Sequence, residues 1–392
     1  DRLSNTNNMN ATEILSKLVS FSVFGGESNL SIIYWIKDFV ESHGVIAKLV
    51  PNQEGTKASL HCRIGSAMDG GVILSGHTDV VPVEGQDWTS DPFVLTDKGD
   101  GKLYARGACD MKGFIACCLA VLPEMVKANL KKPINFAFSY DEEIGCLSAP
   151  DLIKDIQATY TEKAKYAIIG EPSLMRPTIG QKGIYVVDTY VNGSAGHSSR
   201  IRREVSAIHE SARMILWLEN KMNSLIEAGR IDERFTPPHS SLHVGVVKGG
   251  VAFNIIADYA TFQWDLRNIP MDDLDGIIDE FYTYCKELEA EKRKIFPDFA
   301  IKHVPFHPPV PALNTAPDQP IVEWVKQLSG NTELDAVSFA AEAGQFAQAG
   351  YESIICGPGS IAQAHRADEF IAKDQLEKGV EMIRALVRDL ES

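Results

Sequence analysis

Ile14, Leu15, Leu18 and Val19 recur at helical spacing within Thr12 to Phe21, and Ile32, Ile33, Ile36, Phe39 and Val40 do so between Leu30 and His43. Each set puts apolar groups on one side of a helix, and Gly44 is a residue type that ends one. The texture then changes to short continuous apolar runs, each followed by polar residues: Val72-Ile73-Leu74, Ile134 to Phe138, Ala167-Ile168-Ile169 and Ser353-Ile354-Ile355. Helical patterns such as Gly113 to Ala128 lie between several of them. Runs this short, without alternation, read as strands buried on both faces. Buried strands alternating with helices predict an α/β fold, a mixed sheet with helices on both faces.

From about Lys182 the pattern is different. Ile184 to Val191 reads as a strand and Val205 to Met222 as a helix. Leu242 to Val247 and Tyr259 to Leu266 read as two strands separated by the turn signal Gly249-Gly250. Asp272 to Lys294 is a long amphipathic helix, and Phe299 to Val304 a further strand. The order β-α-β-β-α-β is that of a ferredoxin-like unit. Pro305, Pro308, Pro309 and Pro311 then resemble a linker back to the first pattern. The expected organisation is a catalytic domain of residues 1–181 and 307–392, with a smaller domain, 182–306, inserted into it.

The 392-residue length favours two domains over one. An apolar fraction of 44% can build a sizeable core. The net charge of −15 argues against nucleic acid and anionic membranes, because phosphate binding needs clustered Lys and Arg. No stretch approaches the roughly 20 apolar residues that span a bilayer. Asp1 to Asn8 are polar and lack the parts of a signal peptide, and Met9 is a candidate start with an extension before it. Seven cysteines without a CxxC pair indicate neither a zinc ribbon nor a disulfide framework, and fit a reducing cytoplasm.

The candidate chemistry sits after the apolar runs. Ser75-Gly76-His77-Thr78-Asp79 ends one of them, and ligand sites in open α/β sheets lie at the carboxyl ends of strands. Asp79 can accept a hydrogen bond from the His77 imidazole, the support that metal-binding histidines usually have. Alone, His77 reads better as a structural histidine than as a ligand. Asp110 precedes a helix and alone reads as an N-cap. Asp141-Glu142-Glu143 follows another strand, and reads either as a solvated loop or as a metal ligand beside a general base. Glu171 follows Ala167 to Gly170, and His365 follows Gly357-Pro358-Gly359.

The set decides more than any member. If these strands share a sheet, two histidines and several carboxylates converge on one rim. Carboxylates about 4 Å apart repel by about 4 kcal/mol at an effective dielectric of 20. Two divalent cations about 3.5–4 Å apart are a standard solution in hydrolytic sites. Mixed His and carboxylate ligands suit zinc, with cobalt or manganese as substitutes.

The motifs SGHTDVVP, ARGACDMKG, SYDEEIG, GEPS and AHRADEF occur in the order that characterises one family. The chain resembles, over nearly its whole length, the acetylornithine deacetylase and succinyl-diaminopimelate desuccinylase family of metallohydrolases, relatives of glutamate carboxypeptidase and aminoacylase. CDMKGF, GEPSLMRPTIGQKG and CGPGSIAQAH resemble its acetylornithine deacetylase branch. The resemblance implies that His77 and Glu171 bind one zinc, Glu143 and His365 the other, and Asp110 both. It implies that Asp79 orients His77, that Glu142 is the general base, and that His197 serves the active site of a partner subunit. His197 alone would read as a loop histidine.

The family's substrates are small N-acyl amino acids with an α-carboxylate. Arg267, with Asn254, fits the place where the family holds that group, although a surface ion pair explains Arg267 almost as well. Glu342, a lone acid among small residues, is expected to pair with the distal ammonium of ornithine. The resemblance also implies a homodimer through the inserted domain. The expected reaction is hydrolysis of N-acetyl-L-ornithine, an arginine-biosynthesis step. The alternatives are another N-acyl amino acid hydrolase on the same scaffold and a non-catalytic binding protein, which the complete set of ligands and base opposes.

Overall fold

The computed structural model describes residues 9–391. The expectations about the first eight residues fall outside that part. Two compact units are present. The first comprises residues 9–180, Asn314–Ala336 and residues 341–391; the second comprises Gln181–Leu313 with Val337–Ala340.

Four parallel neighbours form the centre of the first unit's sheet: Ile134–Ser139, Val72–His77, Tyr166–Ile169 and Glu352–Ile355, in that spatial order. Ala58–Ile64 joins the first of these antiparallel and is followed by Ala47–Pro51, so the sheet is mixed. Every residue of Val72–His77 and Ile134–Ser139 is buried, which explains why the runs are apolar without alternation. Helices Ala11–Val19, Lys112–Lys127 and Lys373–Glu391 pack against one another, with their apolar faces in the same core.

Parallel strands send their carboxyl ends to one edge. In register, His77 stands opposite Ser139, Ser75 opposite Ile169, and Ile355 also opposite Ile169. Chain segments leave that edge at very close range. A Cβ on Gly170 would lie 2.0 Å from Phe114 Cγ, and one on Gly357 2.1 Å from the Gly170 carbonyl oxygen. Only glycine lets the exits of these two strands pass so near the helix and each other.

The second unit is a four-stranded antiparallel sheet, spatially Ser241–Gly249, Tyr259–Arg267, Tyr185–Asn192 and Ala300–Pro305, with helices Ala207–Glu227 and Leu274–Lys292. Val186, Asp188 and Tyr190 are only partly buried and alternate with the buried Thr189 and the buried Tyr185, Val187 and Val191, the alternation of a sheet with one covered face. Tyr185, Val187 and Val191, with Phe262, Trp264, Phe281 and the helices' apolar faces, form a core of its own. The proline-rich stretch is tied down: Ile184 and Val310 exchange backbone hydrogen bonds at 2.9 and 3.0 Å. The unit therefore runs on to Leu313, past the expected linker. Among the described residues no helix is long and apolar enough to cross a membrane.

Candidate metal centre

His77 ends its strand fully buried, and its ring is the hub of the rim. Nε2 lies 3.0 Å from Asp110 Oδ1, 3.3 Å from Glu171 Oε1, 3.4 Å from Glu142 Oε2 and 3.8 Å from Glu143 Oε1. His365 enters from the far loop. Its Nε2 is 3.1 Å from Asp110 Oδ2 and 3.1 Å from Glu143 Oε2. The two oxygens of Asp110 thus face two different histidines. Asp110 does not cap the following helix: Met111 is the N-cap residue and no side chain bonds there. His365 holds a left-handed φ of +65°, a conformation that costs a non-glycine residue energy and clusters at functional sites.

Asp79 does something the sequence did not reveal. The nearest partner of His77 Nδ1 is the Asp79 carbonyl oxygen at 2.8 Å, with the Asp79 carboxylate at 3.4 Å. That carboxylate accepts the backbone N–H of Glu142 at 3.1 Å and of Glu143 at 3.0 Å. Asp79 therefore grips the acidic loop as well as the imidazole. Asp141 fastens the same loop, accepting from the Gly26 amide at 2.8 Å and from Lys57 Nζ at 2.5 Å. Neither Asp141 nor Lys57 was singled out in the sequence.

The charges are crowded and dry. Burial, then the charges of Glu171, Glu143 and Asp110, push the Glu142 carboxyl well above its ordinary range. Burial and Asp110 do the same to Glu143, and Glu171 is pushed up to about 7. Burial opposes ionisation of Asp110 too, but hydrogen bonds from His365 and His77 outweigh it and hold that carboxyl low. Burial would lower His77, yet the charges of Glu142 and Glu171 raise it well above the usual imidazole value. Glu143 Oε1 and Glu171 Oε1 are buried and accept no hydrogen bond from the described residues.

These residues fit divalent cations. His77, Asp110 and Glu143, and separately His77, Glu142 and Glu171, offer ligand atoms within 4.8 Å of one another. Two ligands about 2.0–2.2 Å from a tetrahedral zinc stand about 3.4 Å apart, near the spacings found here. A cation would also give the unpartnered oxygens of Glu143 and Glu171 the partner they lack.

Glu342 lies in the same unit, 2% exposed, its Oε1 accepting from Ser139 Oγ at 2.7 Å while its Oε2 has no hydrogen-bond partner among the described residues. His197, Asn254 and Arg267 belong to the second unit. Gly196–His197 pairs antiparallel with Ile255–Ile256, which sets His197 beside the Asn254 segment, and Ser198 N–H bonds to the Asn254 carbonyl at 2.9 Å. Arg267, half-exposed at a strand end, donates from Nε to Asp265 at 2.8 Å.

Comparison with known proteins gives the family. Residues 73–389 match the model of peptidase family M20/M25/M40. An acetylornithine deacetylase of Salmonella arizonae is 32% identical over 368 residues, 92% of this chain and 91% of that one. An acetylornithine deacetylase of Aliivibrio salmonicida is 30% identical over 361 residues, 92% of each chain. An M20-family metallo-carboxypeptidase from Sulfolobus solfataricus has the same fold, with a TM-score of 0.74 and 19% identity over 97% of this chain and 99% of that one. The chain belongs to peptidase family M20/M25/M40 and is a metal-dependent hydrolase.

Proposed function

We propose that the chain hydrolyses N-acetyl-L-ornithine to L-ornithine and acetate, with two divalent cations, zinc by preference, at the rim. The observation that carries the two-cation reading is Asp110, whose oxygens face His77 and His365 at 3.0 and 3.1 Å. His77 and Glu171 would hold one cation, Glu143 and His365 the other, and Asp110 both. Bound there, the cations would acidify water and polarise an acyl carbonyl. The named relatives support acetylornithine as substrate.

Glu142 is the general base. It takes a proton from the attacking water and passes it to the leaving amine as the C–N bond breaks. The Asp79 carboxylate, bonded to the Glu142 amide, keeps that carboxyl at the rim. His197 supplies an oxyanion donor to the site of a partner subunit. Its Nδ1 accepts the Ser199 amide at 3.2 Å, so the neutral ring carries its proton on Nε2 and can donate there. Arg267 and Asn254 take the α-carboxylate, for which a guanidinium offers paired donors. Glu342 takes the distal ammonium on its unpartnered oxygen.

A homodimer through the second unit accompanies this reading. Ser241–Gly249 is an edge strand, and Val247, Val251 and Phe253 beside it are 60%, 82% and 99% exposed, an apolar edge that a partner would cover.

An amine-release assay with metal analysis on the same sample tests the whole reading. Acetylornithine should turn over faster than acetylated neutral amino acids and succinyl-diaminopimelate. Preference for either of those would replace the substrate assignment. Glu342→Gln should lose more on acetylornithine than on acetylmethionine, and equal losses would remove its role.

A further inference from the structure

Glu369, four residues past His365, is 1% exposed and has no part in the chemistry above. Its carboxylate accepts four N–H donors. Oε1 accepts from Arg106 Nη1 at 3.0 Å and from the Gly107 amide at 3.1 Å. Oε2 accepts from the amides of Cys109 and Asp110, each at 3.0 Å.

Arg106 is equally buried and reaches further. Nη1 donates to the Arg366 carbonyl at 3.0 Å and Nη2 to the Pro82 carbonyl at 3.2 Å. Nη2 also donates to the side chain of Gln86, whose own Nε2 donates to the His365 carbonyl at 2.8 Å. One ion pair thus touches three segments: the one that follows His77 and Asp79, the one that ends in Asp110, and the one that begins at His365.

A buried ion pair is weak evidence for net stability, because desolvation offsets its attraction. Placement explains this one better. The Asp110 amide is bound by Glu369 while the Asp110 side chain must reach both His77 and His365. The His365 carbonyl, on a residue in left-handed conformation, is bound by Gln86, and the next carbonyl, of Arg366, by Arg106. Fixing both main chains fixes the gap between them.

We propose that Glu369, acting with Arg106, is the positioning residue that sets the spacing of Asp110 and His365, and through it the affinity and geometry of the cation site. This rests on the reading of the rim as a metal centre. Groups that orient metal ligands typically change affinity ten- to a hundredfold when removed.

The test uses the full chain, stripped of metal and titrated with cobalt(II). Calorimetry gives the affinity, the visible absorption of bound cobalt gives the ligand geometry, and a melt of the metal-free protein gives the stability. Folded Glu369→Gln should bind cobalt at least tenfold more weakly, with an altered spectrum. Glu369→Asp keeps the charge but is one methylene short, so it should fall between that variant and the parent. If Glu369→Gln does not fold, Glu369→Asp is judged by the same affinity and spectrum. Variants that melt lower yet bind cobalt with the parent's affinity and spectrum would overturn the proposal and leave Glu369 a purely structural residue. A parent that binds no cobalt would instead sink the metal reading, and this proposal with it.

Discussion

In the second unit a fully buried hydroxyl, Thr189 Oγ1, sits between Trp264 Nε1 at 2.9 Å and His303 Nδ1 at 2.8 Å. The indole N–H can only donate, so the hydroxyl accepts there and shares a second hydrogen bond with the imidazole. In the first unit Glu143 and Glu171 each hold a buried oxygen that lies near His77 but has no hydrogen bond from the described residues. The Thr189 cluster closes its polar groups on one another, and the rim leaves carboxylate oxygens open toward one spot. An unsatisfied buried carboxylate costs stability that a structural core has no reason to accept. The contrast separates residues kept for packing from residues kept for a ligand.

Removing metal tests that contrast most severely. Exhaustive chelation should abolish amide hydrolysis, and added zinc or cobalt should restore it. Metal should also raise the melting temperature, because binding only the folded state stabilises it by about 4 kcal/mol at a thousandfold excess over the dissociation constant. Undiminished hydrolysis after chelation would erase the distinction between the two regions. Glu142→Ala comes next. It should cut turnover by about 10²- to 10⁴-fold, the usual worth of a general base, with metal content unchanged by elemental analysis. A fully active variant would remove Glu142 from the role.

Trp264→Ala strikes the other region. The indole is 2% exposed and packs edge-on against Tyr185 and Phe281. Its loss should cost about 3–5 kcal/mol of stability in a denaturant melt, a typical figure for a buried aromatic cut to alanine. Cobalt affinity of the folded fraction should not change. A parallel loss of metal affinity would show that Trp264 supports more than its own core.

How far these regions were legible in the sequence follows from the same difference. Strand ends such as Leu74 to His77 and Ile169 to Glu171 announce themselves, because a continuous apolar run breaks abruptly into groups that hate burial. Ile184 to Val191 announces a strand, but Val186 and Tyr190 are apolar as well, so which face is covered shows only in the fold. What bonds to main chain leaves no such mark. Glu369 accepts three backbone amides, and the Asp79 carboxylate accepts two. Any sequence supplies those amides, so only the fold reveals which acid they meet. Lys57 lies 84 residues from Asp141, and nothing local predicts their pairing. The helix start at Lys112 misled in the opposite direction, since an aspartate ahead of a helix is a good cap until two histidines compete for it.

The smallest effect separates the regions by pH rather than by mutation. Burial lowers the His303 imidazole from 6.5 to about 4, and the ring stacks on Tyr282 with centroids 4.4 Å apart. Above about pH 6.5 the ring is neutral whether the chain is folded or not, so His303 contributes no pH dependence. Between 6.5 and 4 the unfolded chain takes up a proton that the folded one refuses, and stability falls as the pH drops. Below 4 both forms carry the proton and the loss stops growing. At about 1.4 kcal/mol for each unit, the whole loss is about 3 kcal/mol. Denaturant melts of parent and His303→Gln between pH 7 and 4 isolate it, because Gln keeps a polar side chain but does not titrate. The variant should lose less stability than the parent across that window. Identical slopes would mean that His303 takes up its proton alike in the folded and the unfolded chain, and that burial does not hold it neutral.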